Sequence, residues 1–418
     1  MQEYALCLPG TYPRLGPHAG TLHALRNAAS QGLLEQDPSF VATSSVSFIP
    51  ASIYIQRSEE DHKEFEERLI SLRKKHFVSL HPNFRKKAVI DFLSIAGLLI
   101  AAHETGRIRN PLTSHAALLA LGFPAYKIIE KGVKDIFSVE SLLVYDNLRK
   151  LLLNTLKFDR IFNSPIKIEV PAVNLNTAGW TLDQILSDPP LYLNGWQNQG
   201  WVSVTNFRPE DVNLEIKLRN LRYVEGGING LRVFGHINSG KHDGDGQIVD
   251  TAALSNLPVH FAVKEGYSNM VVLHYNSKAE GPMERLFKNW VELLSRCFDI
   301  TVSENSRKTI LGYLRVNNDL GELAKQRESL KRIEELLYYP WLDSTSKQII
   351  RQHIRDIKET MRKLSYAKKK RINFLFISSD PIPDAHFSDF TQEQMLEGMN
   401  IGWKAGWDAV PKINKLIA

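Results

Sequence analysis

Three short stretches of the sequence carry side chains suited to acyl transfer. The first is FVATSSVSFIPA, residues 40–51. An apolar pair runs into small hydroxyl residues and then into an apolar run, the pattern of a strand that turns sharply into a helix. A hydroxyl at such a corner stands at the C-terminal end of a sheet, where open α/β proteins place their sites. The elbow signature G-x-S-x-G has small flanking residues because strand and helix pass close together there. Around Ser44 the flanks are Ala42 and Val46. Ser44 reads either as a nucleophile or as a helix-capping hydroxyl, a role that Thr43 or Ser45 would also serve.

The second stretch is LCLPGTYPRLGPHAGTLHAL, residues 6–25. A glycine- and proline-rich turn links a strand to a helix, and its backbone N–H groups favour an anion or oxyanion beyond the helix start. The plainer reading is a well-made β–α turn. The third is VDTAALSNLP, residues 249–258. Its Asp250 reads as a general base or as the cap of the turn that follows. His236, His242, Asp243 and Asp245 lie together in HINSGKHDGDG, residues 236–246. They fall short of the calcium-loop pattern and read as a solvated polar loop, so no resident metal and no cofactor is expected. Neither nucleotide-binding glycine motif occurs around Gly10.

The elements that must position these residues follow from periodicity. Tyr4–Leu8 reads as a strand, 18–30 as a helix, Phe40–Val41 as a second strand and 45–55 as a helix. This β-α-β-α opening points to a parallel sheet with helical crossovers. A charged helix over 59–75 and apolar helices over 84–104 and 138–157 form a helical block, 60–157, that interrupts the sheet as an inserted cap. Strands are expected at 166–173, 231–234 and 269–274, with loops over 176–200 and 236–246. Helices are expected over 281–296 and through 303–365. Within the latter, opposite charges at i,i+4 spacing mark an exposed face. A strand near 372–378 and a last helix from about Thr391 complete the chain. The basic run Lys368–Arg371 reads as a helix C-terminus.

The 418 residues are 43% hydrophobic and 23% charged, which requires a packed core. The net charge of +6 suits an anionic surface without specifying one. Two cysteines, Cys7 and Cys297, exclude a disulfide framework. The start shows no basic-then-apolar signal segment. The most apolar run, Ala88–Ala102, contains Asp91 and is too short to span a bilayer.

Taken together, the three stretches resemble the patatin-like phospholipase family. His18-Ala19-Gly20-Thr21-Leu22-His23-Ala24-Leu25 fits that family's H-x-G-x-L-x-A-L helix. This places Gly10-Thr11-Tyr12-Pro13-Arg14-Leu15 on its glycine-rich loop. Ala42-Thr43-Ser44-Ser45-Val46 falls on the nucleophile motif, and Asp250 through Asn256-Leu257-Pro258 falls on the aspartate motif. Framework segments at 157–177, 202–218, 258–277 and 374–395 extend the likeness along nearly the whole chain.

The resemblance implies one domain over 1–418: a three-layer α/β/α fold with a parallel-dominated central sheet, the 60–157 helical cap and a largely helical part over 281–418. It implies a lipid acyl hydrolase that uses a Ser44–Asp250 dyad and an acyl-enzyme intermediate. Gly10, Thr11 and Tyr12, with Arg14 nearby, would serve the oxyanion and substrate. Neither His18 nor His23 is needed as a base. The implied partner is a phospholipid or fatty-acyl ester, met in the cytoplasm or at a membrane surface, with no nucleic acid expected. The family's glycines are replaced at Thr11, Tyr12, Leu15, Ala42, Val46, Thr251 and Ala252. That clustering supports a second expectation, a patatin-fold protein of impaired or absent activity that binds lipid or a partner.

Overall fold

A computed structural model describes residues 2–10, 15–71, 79–80, 143–144, 154–157, 160–161, 163–174, 201–205, 237–238, 247–250, 257–275, 290–364, 369–378 and 391–418. The chain forms a mixed α/β structure, mostly helical, around a sheet with five parallel strands. These strands are β1 (Tyr4–Leu8), β2 (Phe40–Thr43), β5 (Lys167–Asn174), β9 (Asn269–Leu273) and β10 (Asn373–Ile377). They lie in the order β10-β9-β1-β2-β5. The pairs β1–β2, β1–β9, β9–β10 and β2–β5 are all parallel.

Both faces of this sheet are covered, so its central strands are apolar throughout rather than alternating with polar residues. Alternate side chains still sort to opposite faces. Tyr4, Leu6, Leu8, Val41, Val271 and Leu273 enter one core. Ala5, Cys7, Phe40, Ala42, Met270 and Val272 enter the other. The first core is closed by α1 (Leu15–Ser30), α2 (Phe48–Ile55), α3 (Glu59–Ser71) and α7 (Gln392–Ile417). The second takes residues from α4 (Val259–Lys264) and from the long helix α5 (Trp290–Leu336).

The crossing of α1 and α7 is unusually close, because glycines line it on both sides. A methyl built on Gly20 would lie 2.0 Å from the Met399 carbonyl oxygen, and one on Gly402 would lie 2.0 Å from that of Pro17. Thr21 uses the closeness, its Oγ1 standing 3.0 Å from the Gly402 carbonyl oxygen. The start of α7 is a capping box. Thr391 Oγ1 accepts from the Gln394 N–H, and the Gln394 side chain accepts from the Thr391 N–H.

Several expectations change. The helix expected over 138–157 contains a short strand, β4 (Leu143–Val144), antiparallel to β3 (Ser79–Leu80). Short apolar runs such as SLLVY do not separate helix from strand by periodicity. The loop expected over 236–246 has paired ends: β7 (Ile237–Asn238) is antiparallel to β8 (Gln247–Asp250). The helices expected over 281–296 and 303–365 are redrawn. Helix α5 runs unbroken from Trp290 to Leu336 and the chain breaks at Pro340, before α6 (Ser344–Lys363). Proline lacks the N–H a helix needs and disfavours helical geometry in the residue before it. The α5–α6 hairpin packs through Leu323, Leu330, Ile354 and Met361. Its turn exposes Tyr338 (86%) and Trp341 (73%).

The helix expected over 84–104, the strand over 231–234 and the loop over 176–200 lie outside the described residues. Lys369–Arg371 form an exposed segment before β10 rather than a helix end. Among the described residues no helix is long and apolar enough to cross a membrane.

Candidate functional site

The corner between β2 and α2 is the centre of the site. Thr43 ends the strand, and its Oγ1 donates to the Glu169 carbonyl at 2.9 Å. Ser44 remains extended, with φ −132° and ψ 138°. Its N–H donates to the Leu8 carbonyl at 3.0 Å, extending the β1–β2 ladder by one bond. Ser45 then takes φ 56°, a left-handed backbone that L-residues avoid. A single 3₁₀ turn, Ser45–Ser47, leads into α2.

The loop after β1 is fastened to this corner. Ser47 Oγ donates to the Pro9 carbonyl at 2.7 Å. That spends its one proton, so His18 Nδ1, 3.0 Å away, carries the hydrogen and donates to Ser47. His18 is fully buried and its ring lies 5.8 Å from that of Tyr275. Gly10 abuts the corner directly. A methyl on its Cα would fall 2.3 Å from Ser45 Cβ and 2.6 Å from the Ser44 carbonyl oxygen. Only glycine permits that approach.

Asp250 reaches the same place from the opposite direction. Glu169 of β5 stands opposite both Ala42 of β2 and Thr205 of β6 (Trp201–Thr205), so β2 and β6 flank β5 on different sides. Ala172 stands opposite both Val202 of β6 and Asp250 of β8, so β8 lies on the side away from β6, which is the β2 side. Strands β2 and β8 therefore meet end to end along one edge of β5. Three residues of β5 separate the levels of Ala42 and Asp250, about 10 Å at ~3.3 Å per residue. A straight β2 would reach the level of Asp250 at Ser45. The chain leaves the strand direction at that residue.

Of the residues singled out in the sequence, Ser44, Gly10 and the backbone of Asp250 converge on this corner. Thr11, Tyr12 and Arg14 lie outside the described residues, as do His236, His242, Asp243 and Asp245. Ser44 makes no side-chain capping bond to the turn it precedes. Val46 is fully buried in the core among Ile49 and its neighbours. Ser45, Ser47 and the His18–Ser47 bond were not anticipated, although the four hydroxyl residues among 43–47 were their visible signal.

A second polar cluster sits behind α1. His23 Nδ1 lies 2.9 Å from Glu66 Oε1, and Nε2 lies 3.1 Å from Glu59 Oε2. Burial opposes the charge on His23, but the two carboxylates outweigh it and raise its pKa above the ordinary value. His62 stacks on His23 at 5.1 Å. Burial, then the charges of His23 and Arg26, push His62 well below the ordinary value. Asp61 is paired with Lys157 and, at 2.6 Å, with Arg160. The His23 bonds tie α1 to α3, and Asp61 ties α3 to the segment around 157–160. Among the described residues no group of His, Cys, Asp and Glu is arranged to hold a metal.

Compared with protein-family models and with curated proteins, the chain matches none.

Proposed function

We propose that the chain is a serine lipid acyl hydrolase of the patatin-like kind, with the three-layer fold of that family. The observation that carries the reading is that the β2 corner, against which Gly10 packs, and the end of β8 lie along one edge of β5. A hydroxyl of the corner, Ser44 by the family register, attacks a phospholipid or other fatty-acyl ester. Asp250 takes the proton, and an acyl-serine forms and is hydrolysed. Backbone N–H groups after Gly10, in Thr11 and Tyr12, stabilise the oxyanion, with Arg14 beside them. No cofactor takes part. The exposed Tyr338 and Trp341 suit a peripheral place at a membrane surface, since such rings have an apolar body and a polar edge. The cytoplasm is the proposed compartment.

The test is hydrolysis of a fluorogenic fatty-acyl ester by the wild type, a Ser44→Ala/Ser45→Ala double variant and Asp250→Asn. Loss of turnover in both variants supports the reading, and equal turnover in all three sinks it. The second reading, a lipid- or partner-binding protein of impaired activity, is favoured by the replacement of the loop glycines by Thr11 and Tyr12. A wild type without turnover that still binds phospholipid vesicles would select it.

A further inference from the structure

We infer that the attacking hydroxyl is that of Ser45 rather than Ser44. The inference rests on the hydrolase reading and refines which atom performs it. Four independent features of the corner converge on Ser45.

The first is backbone conformation. A nucleophile elbow presents its hydroxyl from a sharp turn whose backbone is strained. Ser44, the residue between β2 and the 3₁₀ turn, has an ordinary extended backbone and is bonded to Leu8. Ser45 is the residue with positive φ. The one other non-glycine residue of that kind among the described residues, Arg57, lies just past the end of α2, away from the corner.

The second is access. Ser44 is fully buried, whereas Ser45 keeps 7% of its surface. The third is the loop. The contact that only glycine allows is made by Gly10 with the Cβ of Ser45, at 2.3 Å from where a methyl would stand. The chain that would supply oxyanion donors thus starts against the Ser45 side chain.

The fourth is the pair of flanking positions. Centred on Ser45, the small-residue sites of the elbow fall on Thr43 and Ser47. Ser47 faces the β1 loop and bonds to Pro9, as a small residue placed where strand and helix pass each other can. Centred on Ser44 they would fall on Ala42 and Val46, both of which are spent in the two hydrophobic cores. With Ser45 at the centre, Val46 no longer falls on a glycine position of the motif.

In the step itself the Ser45 Oγ forms a bond to the ester carbonyl carbon and passes its proton to the Asp250 carboxylate. The carbonyl–oxygen bond of the ester breaks, and the leaving alkoxide takes that proton. Water attacks the acyl-Ser45, gives up a proton to Asp250, and releases the fatty acid as the Ser45 hydroxyl is restored. Asp250 ends each cycle as it began.

The experiment is labelling of the full chain by a fluorophosphonate, with the adduct located by peptide mass spectrometry. Expected is an adduct on Ser45 in the wild type and a loss of labelling of at least 100-fold in Ser45→Gly. Glycine accepts positive φ without strain, so this variant keeps the corner, and its thermal unfolding should be no lower than that of the wild type. An adduct on Ser44, retained in Ser45→Gly, overturns the inference while leaving the hydrolase reading intact. No adduct on either serine, under conditions that label a control serine hydrolase fully, overturns both.

Discussion

Replacing Gly20 by alanine tests the α1–α7 crossing more sharply than any truncation, because the same substitution elsewhere should have the opposite sign. At Gly20 the new methyl would meet the Met399 carbonyl oxygen at 2.0 Å, its carbonyl carbon at 2.8 Å and the Trp403 nitrogen at 2.9 Å. All three are main-chain atoms, so no side chain can swing away. To reach ordinary contact at 3.4 Å the helices must part by about 1.4 Å. A gap of that size forfeits much of the dispersion attraction along the crossing, and it stretches the 3.0 Å approach of Thr21 to Gly402 beyond hydrogen-bond reach.

Overpacking of this kind costs ~3 kcal/mol at the upper end of its usual range. The lost bond adds ~1 kcal/mol, and the better helix propensity of alanine returns ~1 kcal/mol. The expected net destabilisation is about 3 kcal/mol. Gly312 is the control. It lies within α5 with nothing inside 4 Å of its added methyl, so Gly312→Ala should stabilise its helix by about 0.5–1 kcal/mol. Urea unfolding followed by tryptophan fluorescence and far-ultraviolet circular dichroism reads both. A Gly20→Ala midpoint equal to or above that of the wild type would refute the close crossing.

Two further outcomes are expected. The His23–His62 pair should give stability a maximum near the ordinary imidazole value of 6.5. His23, raised in the fold, stabilises fully below that value, and its contribution is lost as pH climbs through its higher folded pKa. His62, depressed in the fold, loses its contribution as pH falls below the ordinary value. In denaturation profiles across pH, His23→Gln should flatten the alkaline limb and His62→Phe the acid limb; unchanged limbs would remove these residues from the account. On the proposed mechanism, Gly10→Ala should slow fluorophosphonate labelling by about 100-fold, since its methyl would fall 2.3 Å from Ser45 Cβ and displace that residue. An unaltered labelling rate would separate the loop from the site.

The sequence made β1, β2 and the serine corner legible because the apolar runs there are short, bounded by Pro9-Gly10 and by hydroxyl residues, and buried on both sides. It pointed to Ser44 through the family register and offered Ser45 only as a cap, for a physical reason. Where β2 must turn depends on two pairings on one edge of β5 between segments distant in the chain, Ala42 with Glu169 and Ala172 with Asp250. The capping role considered for Ser44 was a local reading of the same kind: its backbone is extended, as that of an N-cap is, but its side chain makes no capping bond. The glycine face of the helix crossing is visible in the sequence: Gly16 and Gly20 on α1, and Gly398, Gly402 and Gly406 on α7, each recur at four-residue spacing. The break between α5 and α6 was equally visible in Pro340, but the charge pattern on either side suggested one continuous helix.

The α1–α7 crossing also governs when the molecule can be completed. Thr21 and Gly402, which meet there, are 381 residues apart in sequence. At a synthesis rate of ~5–20 residues per second, α1 waits roughly 20–75 s on the ribosome for its partner. During that interval Gly16, Gly20 and the apolar surface around them have nothing to pack against. Strand β1 likewise waits for β9 to cover one of its edges. The amino-terminal third, which holds the serine corner, is thus made early and stabilised late, and a nascent chain cut short before α7 presents an unsatisfied helix face to chaperones and proteases.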